Sequence, residues 1–410
     1  MEHIDISREI QTIRILLPQK TTEFEKDALV FTKIFKRINK YNEVLISRFD
    51  EINKMTKNVY NISSSNEDLD LLLDEQNLSR QTNNDDNSNN SNNDSNNNND
   101  NNDDNDDNSQ NNQNNVYPNE YQKKIIIDDI HIHVGDIVSD WFKHSNKKFY
   151  LMDHENFKPK ILNEIGKVDG VLCRTKIDLE LIKKIKNENN FDFKIYNTRF
   201  TSVFQEKPVL KHWNVVLHFA GEYHRKQTSE ILKTWQTYPD LPLIIIICTD
   251  QCFKNVEDLL ETNGRPKNIH FHKRKLENED LTLIANKMGI HLCPSEIEGY
   301  GHTINDARKI KSLIITSNIE PINELVDDSC AIMINCTTQS NIKLHKNSKY
   351  NSDVCFISKE YIYEAVMKAI KMNIDDRKKM TDIAYEKYLE DTYFFEMAIM
   401  DLLNDSKPNY

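Results

Sequence analysis

The chain has 410 residues, 38% hydrophobic and 29% charged, with a formal net charge of −12. That length exceeds what one hydrophobic core serves well and predicts two domains. Without a basic surplus, nucleic acid is excluded as a general partner, and no stretch approaches the ~18 consecutive apolar residues of a membrane-spanning helix.

Thr12 to Leu17 is β-branched and apolar, a first strand. Thr22 to Ile38 sets Phe24, Ala28, Phe31, Ile34, Phe35 and Ile38 on one face, an amphipathic helix. Glu43 to Ser47 follows as a second strand, and strand–helix–strand at this pace opens a doubly wound parallel sheet. From about Asn61 the apolar residues thin out. Thr82 to Asn115 is almost wholly Asn, Asp and Ser, with eight Asp and no Lys, Arg or Glu, so two thirds of the net charge sits there. It is too polar to bury anything and reads, over about 62–118, as a disordered low-complexity insertion in a surface loop. Its Asp-rich run at 103–107 imitates a metal-binding Asp-x-Asp through composition alone.

Ile125 to Val134, Phe149 to Met152, Gly170 to Arg174 and Lys194 to Tyr196 read as further strands, with a helix over Lys176 to Asn187. A first domain, 1–210, closes here with Pro208 in the linker. The second opens on Trp213 to Ala220, a continuous apolar strand of the kind parallel sheets bury. Gly221 breaks it, and Arg225 and Lys226 precede a helix through Ile231, Leu232 and Trp235. Leu243 to Thr249 and Asn268 to Phe271 are strands, Asp280 to Met288 a helix, and Ile290 to Cys293 a strand stopped by Pro294-Ser295. From Thr303 the pattern turns helical, with Ile304, Ala307, Ile310 and Ile314 at three- and four-residue steps. Ser312 to Thr316 is the next strand. Tyr361 to Met372, Asp375 to Leu389 and Phe394 to Leu403 are helices, so the second domain is 211–390 and the last helix and tail, 391–410, pack back on the first.

Glycine is scarce, eight in the chain, and two of the eight, Gly299 and Gly301, share the loop after Cys293 with Glu298, Tyr300 and His302. A glycine-bearing strand-to-helix turn brings backbone N–H groups to an anion, and the helix dipole favours the negative charge. Glu298 and Asp306, eight positions apart, suit hydroxyl groups of a sugar or ribose. Gly221 with Arg225 and Lys226 makes a second anion-friendly corner, and Glu324 a third after the next strand. All three lie at strand C-termini, where open parallel sheets bind ligands. Plainer readings stand beside these. Thr303-x-x-Asp306 is a capping box, Arg225-Lys226 a solvated charge pair, and Glu324 a helix-start acid.

The seven cysteines are scattered, odd in number and without zinc-knuckle spacing. The N-terminus lacks a basic start with an apolar run. Reduced thiols and a cytoplasmic setting are expected.

Three segments, His218 to Thr228, Pro294 to Ala307 and Thr316 to Val326, together resemble the GT-B glycosyltransferases of the retaining group-1/family-four type. That family carries an acidic pair at E-x₇-E spacing, with Pro-Ser before it and Pro-x-x-Glu-Leu-Val after it. Glu298 to Asp306 fits the spacing with Asp in the second place. Weaker echoes lie at Met152 to Phe157 and Asp169 to Thr175. The resemblance implies two Rossmann-like doubly wound domains facing a cleft, and transfer of a sugar from a nucleotide-sugar donor, with retention and without a metal or cofactor. By the same resemblance Glu298 contacts the transferred sugar and Lys226 neutralises the diphosphate. The Gly299–Thr303 backbone, with Tyr300, Gly301 and His302, holds the phosphates, and Asp306 or Glu324 holds nucleotide or sugar hydroxyls. Gly221 and Arg225 complete the donor corner, and the acceptor is a glycan, protein or small molecule. Where relatives carry a basic residue after the glycine at 221, this chain has Glu222, and it lacks a glycine-rich turn after Leu17. A catalytically inactive relative that binds nucleotide sugar or acts as a scaffold is the alternative reading.

Overall fold

The computed structural model describes residues 12–17, 22–38, 43–48, 60–62, 128–221, 224–273, 278–342 and 352–406. The Asn/Asp-rich insertion, the turn after Leu17 and Glu222 lie outside these residues. The first half runs β1 (Thr12–Leu17), α1 (Thr22–Ile38), β2 (Glu43–Arg48), β3 (Tyr60–Ile62), β4 (Asp128–Val134), β5 (Ser145–Leu151), α2 (Pro159–Ile165), β6 (Gly170–Cys173), α3 (Lys176–Asn189) and β7 (Lys194–Asn197). Its sheet has the order β3-β2-β1-β4-β5-β6-β7. β1 sits centrally and pairs in parallel with β2 (Ile13↔Val44) and β4 (Ile13↔Ile130).

The second half begins β8 (His212–Gly221), α4 (Thr228–Thr237), β9 (Leu243–Cys248), α5 (Asp250–Asn263) and β10 (Ile269–His272). It continues α6 (Asn278–Lys287), β11 (Met288–Cys293), α7 (His302–Lys309), β12 (Leu313–Ser317), α8 (Ile322–Leu325) and β13 (Ala331–Ile334). Its order, β10-β9-β8-β11-β12-β13, repeats the pattern of the first sheet, with parallel pairing throughout. The chain winds outward from β8, then returns to the other side of it with β11. The gap between the loops after β8 and β11 is therefore the point where strand order reverses, the place such sheets offer to a ligand. An antiparallel ribbon, β14 (Thr337–Ile342) and β15 (Ser352–Phe356), follows, and α9 (Lys359–Lys371) and α10 (Ile374–Asp405) end the chain.

Every residue of β11 and β12 is buried, as a strand covered on both faces requires, and β12 adds the β-branched run Ile314, Ile315 and Thr316. Departures from the sequence expectation have local causes. The helix from His302 stops at Lys309, because Lys311 adopts a left-handed backbone (φ 54°) that turns the chain and delivers Ile314 to β12. The two last helices are one, α10. Its polar middle is held by Asp391, which accepts from Arg308 Nη2 at 2.7 Å and Arg199 Nη1 at 2.9 Å. Helix α5, hidden in a polar stretch, starts where Thr249 Oγ1 accepts from Cys252 N at 3.2 Å.

The two halves share one aromatic hub. Phe200, beyond β7, meets Phe31 of α1, Phe395 of α10 and Tyr300 of the loop after β11 at centroid separations of 5.8, 5.0 and 5.2 Å. Phe200 and Phe395 are fully buried. Among the described residues no helix is long and apolar enough to cross a membrane.

Candidate active site

Lys226 closes a 3₁₀ turn, His224–Lys226, between β8 and α4. The turn is fixed from behind by His218, whose Nδ1 donates to Leu292 O at 2.9 Å while Nε2 accepts from Thr228 Oγ1 at 3.0 Å. Burial pushes the His218 pKa down to about 4, so the ring is a neutral strut. The loop after β11 is stitched to the turn directly, since Glu296 N donates to Arg225 O at 2.8 Å. Lys226 Nζ then forms an ion pair with Glu298 Oε1, which also accepts from Ser295 Oγ at 2.5 Å. Both partners are largely enclosed, with side-chain exposures of 15% and 8%. The two residues singled out as catalytic thus touch each other at the reversal point of the second sheet.

The glycines shape the approach. Gly301 caps α7 at φ 100°, a conformation L side chains avoid. The first N–H groups of α7, at His302 and Thr303, face out of the helix N-terminus by helix geometry. A Cβ on Gly299 would stand 2.7 Å from Asp153 Oδ1 and 3.3 Å from Glu155 Oε2, so only glycine lets the first half come this close.

The remaining candidates reach across to the first half. Arg225 Nη1 pairs with Glu155 Oε1 at 2.8 Å, so it is not simply solvated. His302 Nε2 lies 3.0 Å from Asp27 on α1, and Asp27 accepts from Arg174 Nη1 at 3.1 Å. Burial alone would raise the Asp27 pKa. Arg174 and His302 outweigh it and hold the carboxyl below its usual value. Arg174 also lies 3.7 Å from Asp153 and stacks over Tyr300 and Phe200. Asp306 accepts from Ser202 Oγ at 2.5 Å and sits 3.4 Å from Lys26 Nζ. It does not complete a capping box, because Gly301, not Thr303, caps the helix and no side chain bonds there. Glu324 does act at a helix start, but in the first half: both carboxylate oxygens accept from Lys176 N, at 3.0 and 2.9 Å, at the head of α3. Gly221 ends β8 opposite Cys248 and takes no part in these pairs.

Sequence reasoning passed over Asp27, Asp153, Glu155 and Arg174. Asp27 carried a signal, a carboxylate beside the apolar face of an amphipathic helix, which survives burial only with partners. The other three lie in the two weaker family echoes. Among the described residues no group of three or more His, Cys, Asp or Glu could hold a metal ion.

No family model matches the chain, and no curated protein matches it. Solved structures do. A glycosyltransferase from Rickettsia africae ESF-5 superimposes with a TM-score of 0.58 at 11% identity, over 97% of this chain and 98% of that one. The pneumococcal O-GlcNAc transferase GtfA, solved with UDP and GlcNAc, gives 0.52 at 11% identity, over 68% of this chain and 57% of its own. TarM gives 0.50 at 14% identity over 69% and 56%, so the chain spans little more than half the length of TarM or GtfA. Two doubly wound parallel sheets of the same strand order, joined at a common core, place this chain in the GT-B fold that these proteins share.

Proposed function

We propose that the chain transfers a sugar from a nucleotide-sugar donor to an acceptor hydroxyl. The observation that carries this reading is the Lys226–Glu298 pair, set at the strand-order reversal beside the N-terminus of α7. A departing diphosphate there meets an ammonium and two outward N–H groups. These favour negative charge as it develops and need no metal. Glu298, released from Lys226 when phosphate takes that cation, is free to accept hydroxyls of the sugar. In the retaining course implied by the family resemblance, the acceptor oxygen bonds to the anomeric carbon on the face the phosphate leaves. The carbon–phosphate oxygen bond breaks, and the phosphate oxygen takes the acceptor's proton.

The charges are already paired within the chain, Arg225 with Glu155 and Lys226 with Glu298. A donor must therefore replace carboxylates as it binds. The same observation favours the second reading, a nucleotide-sugar binder without turnover, to which Glu222 also lends support. Purified protein mixed with UDP- and GDP-sugars separates them: a thermal shift with slow release of free sugar supports the enzyme, and a shift without release supports the binder. No shift with any nucleotide sugar would reject both.

A further inference from the structure

Of the seven cysteines six are buried, and Cys336 alone is partly exposed. It stands just before β14, whose register with β15 places Thr337 opposite Phe356 and Thr338 opposite Cys355. Cys336 is therefore the diagonal neighbour of Cys355, on the same face of the ribbon. The neighbouring Cys355 thiol draws the Cys336 pKa down to about 7. Cys336, then burial, pushes the Cys355 pKa up. A partly exposed, readily ionised thiol beside a buried one is the arrangement of a nucleophile and its resolving partner.

The pair is wired to the candidate active site. Cys355 N donates to Glu296 O at 2.8 Å, two residues before Glu298. Cys355 O accepts from Gln227 Nε2 at 3.4 Å, and Ile357 N donates to Gln227 Oε1 at 3.0 Å, next to Lys226. Cys336 Sγ stands 3.8 Å from Asn318 O, at the start of the segment leading to Glu324.

We propose that Cys336 and Cys355 are a redox-active pair that a hydroperoxide converts to a disulfide, displacing the loop that carries Glu298. The Cys336 thiolate attacks a peroxide oxygen. The O–O bond breaks, and hydroxide leaves and is protonated to water, forming a sulfenic acid. The Cys355 thiol then attacks that sulfur, the S–O bond breaks and a second water departs. Two thiols and one hydrogen peroxide give one disulfide and two waters. Diagonal cross-strand neighbours have Cα atoms ~7–8 Å apart, beyond the ~5.5–6 Å at which disulfides are most often found. Closing the bond therefore pulls on β15 and on the hydrogen bonds from Cys355 to Glu296 and Gln227.

The full chain, treated with hydrogen peroxide, alkylated and digested without reductant, is expected to yield a peptide cross-linked through Cys336 and Cys355. Dithiothreitol should reverse the link, and Cys336→Ser should lack it. Alkylation of both residues after peroxide, or a Cys336 sulfinic acid without the cross-link, would overturn the proposal. Hydrogen exchange reads the displacement: segments 224–228 and 294–298 should exchange several-fold faster in the oxidised wild type and not in peroxide-treated Cys336→Ser. Unchanged exchange in cross-linked protein would overturn the coupling. Both readouts are independent of whether the chain transfers sugar, so their failure is distinguishable from failure of the transferase reading.

Discussion

Glu298 carries two duties that a substitution can separate. It balances Lys226 and accepts from Ser295, and its charge is what a sugar hydroxyl would meet. Glu298→Gln keeps an oxygen for both donors while removing the charge. Transfer is expected to fall ~10²-fold in kcat, the scale of losing one group that stabilises the transition state, with Tm within a few degrees. Melting curves run beside a sugar-release assay check both. Full activity in this variant would remove Glu298 from the chemistry. His154 governs pH dependence at this scale. Burial alone would lower its pKa, but Asp178, 3.0 Å from Nδ1, with Asp153 and Glu155, raises it above its ordinary 6.5. A base with a raised folded pKa lends stability that is fully present below its unfolded value and lost as pH climbs through the folded one. The stability advantage of wild type over His154→Gln should therefore shrink as pH rises through and above the ordinary 6.5. Melting temperatures across that range test it, and a constant difference would mean that the His154 pKa does not change on folding.

Among the elements, α7 has the most exacting start. Its cap, Gly301, sits at φ 100°, and a Cβ there would also meet Leu325 Cδ1 at 3.1 Å. Gly301→Ala is expected to cost ~1–3 kcal/mol, the range for a non-glycine residue held in a strained backbone region, read as a lower urea midpoint with unchanged slope. A neutral result would mean that the loop relaxes to another conformation without loss. Helix α3 depends on the other half in a different way. Thr175 Oγ1 accepts from Asp178 N at 3.1 Å in ordinary capping, and Glu324, on α8 of the second half, supplies the second acceptor, to Lys176 N. Burial raises the Glu324 pKa and the Lys176 N–H bond opposes it, so this cap weakens when the carboxyl takes up a proton.

Across the whole molecule, the halves are held by the Phe200 hub and by charges that serve the candidate site as well. Arg225–Glu155, His302–Asp27–Arg174 and Asp306–Lys26 each join one half to the other. If a donor competes with Glu155 for Arg225, then Glu155→Gln should tighten nucleotide-sugar binding several-fold in titration calorimetry. Unchanged affinity would place the diphosphate away from Arg225. The sequence alone determined most of the strands and helices of the two large sheets, but not β3, β13, the β14–β15 ribbon, α2 or α5. Runs such as Leu-Ile-Ile-Ile-Ile-Cys in β9 and the apolar face of α1 answer to local period and propensity. It also marked the loop of Gly299 and Gly301, because glycine is rare in this chain and backbone approach demands it. What only the tertiary structure decided is which side chains meet. Asp306 facing Ser202 rather than its own helix, and Glu324 capping α3 from 148 residues away, follow from how two sheets face each other. Such partners are set by packing between distant elements, and no spacing along the chain records them.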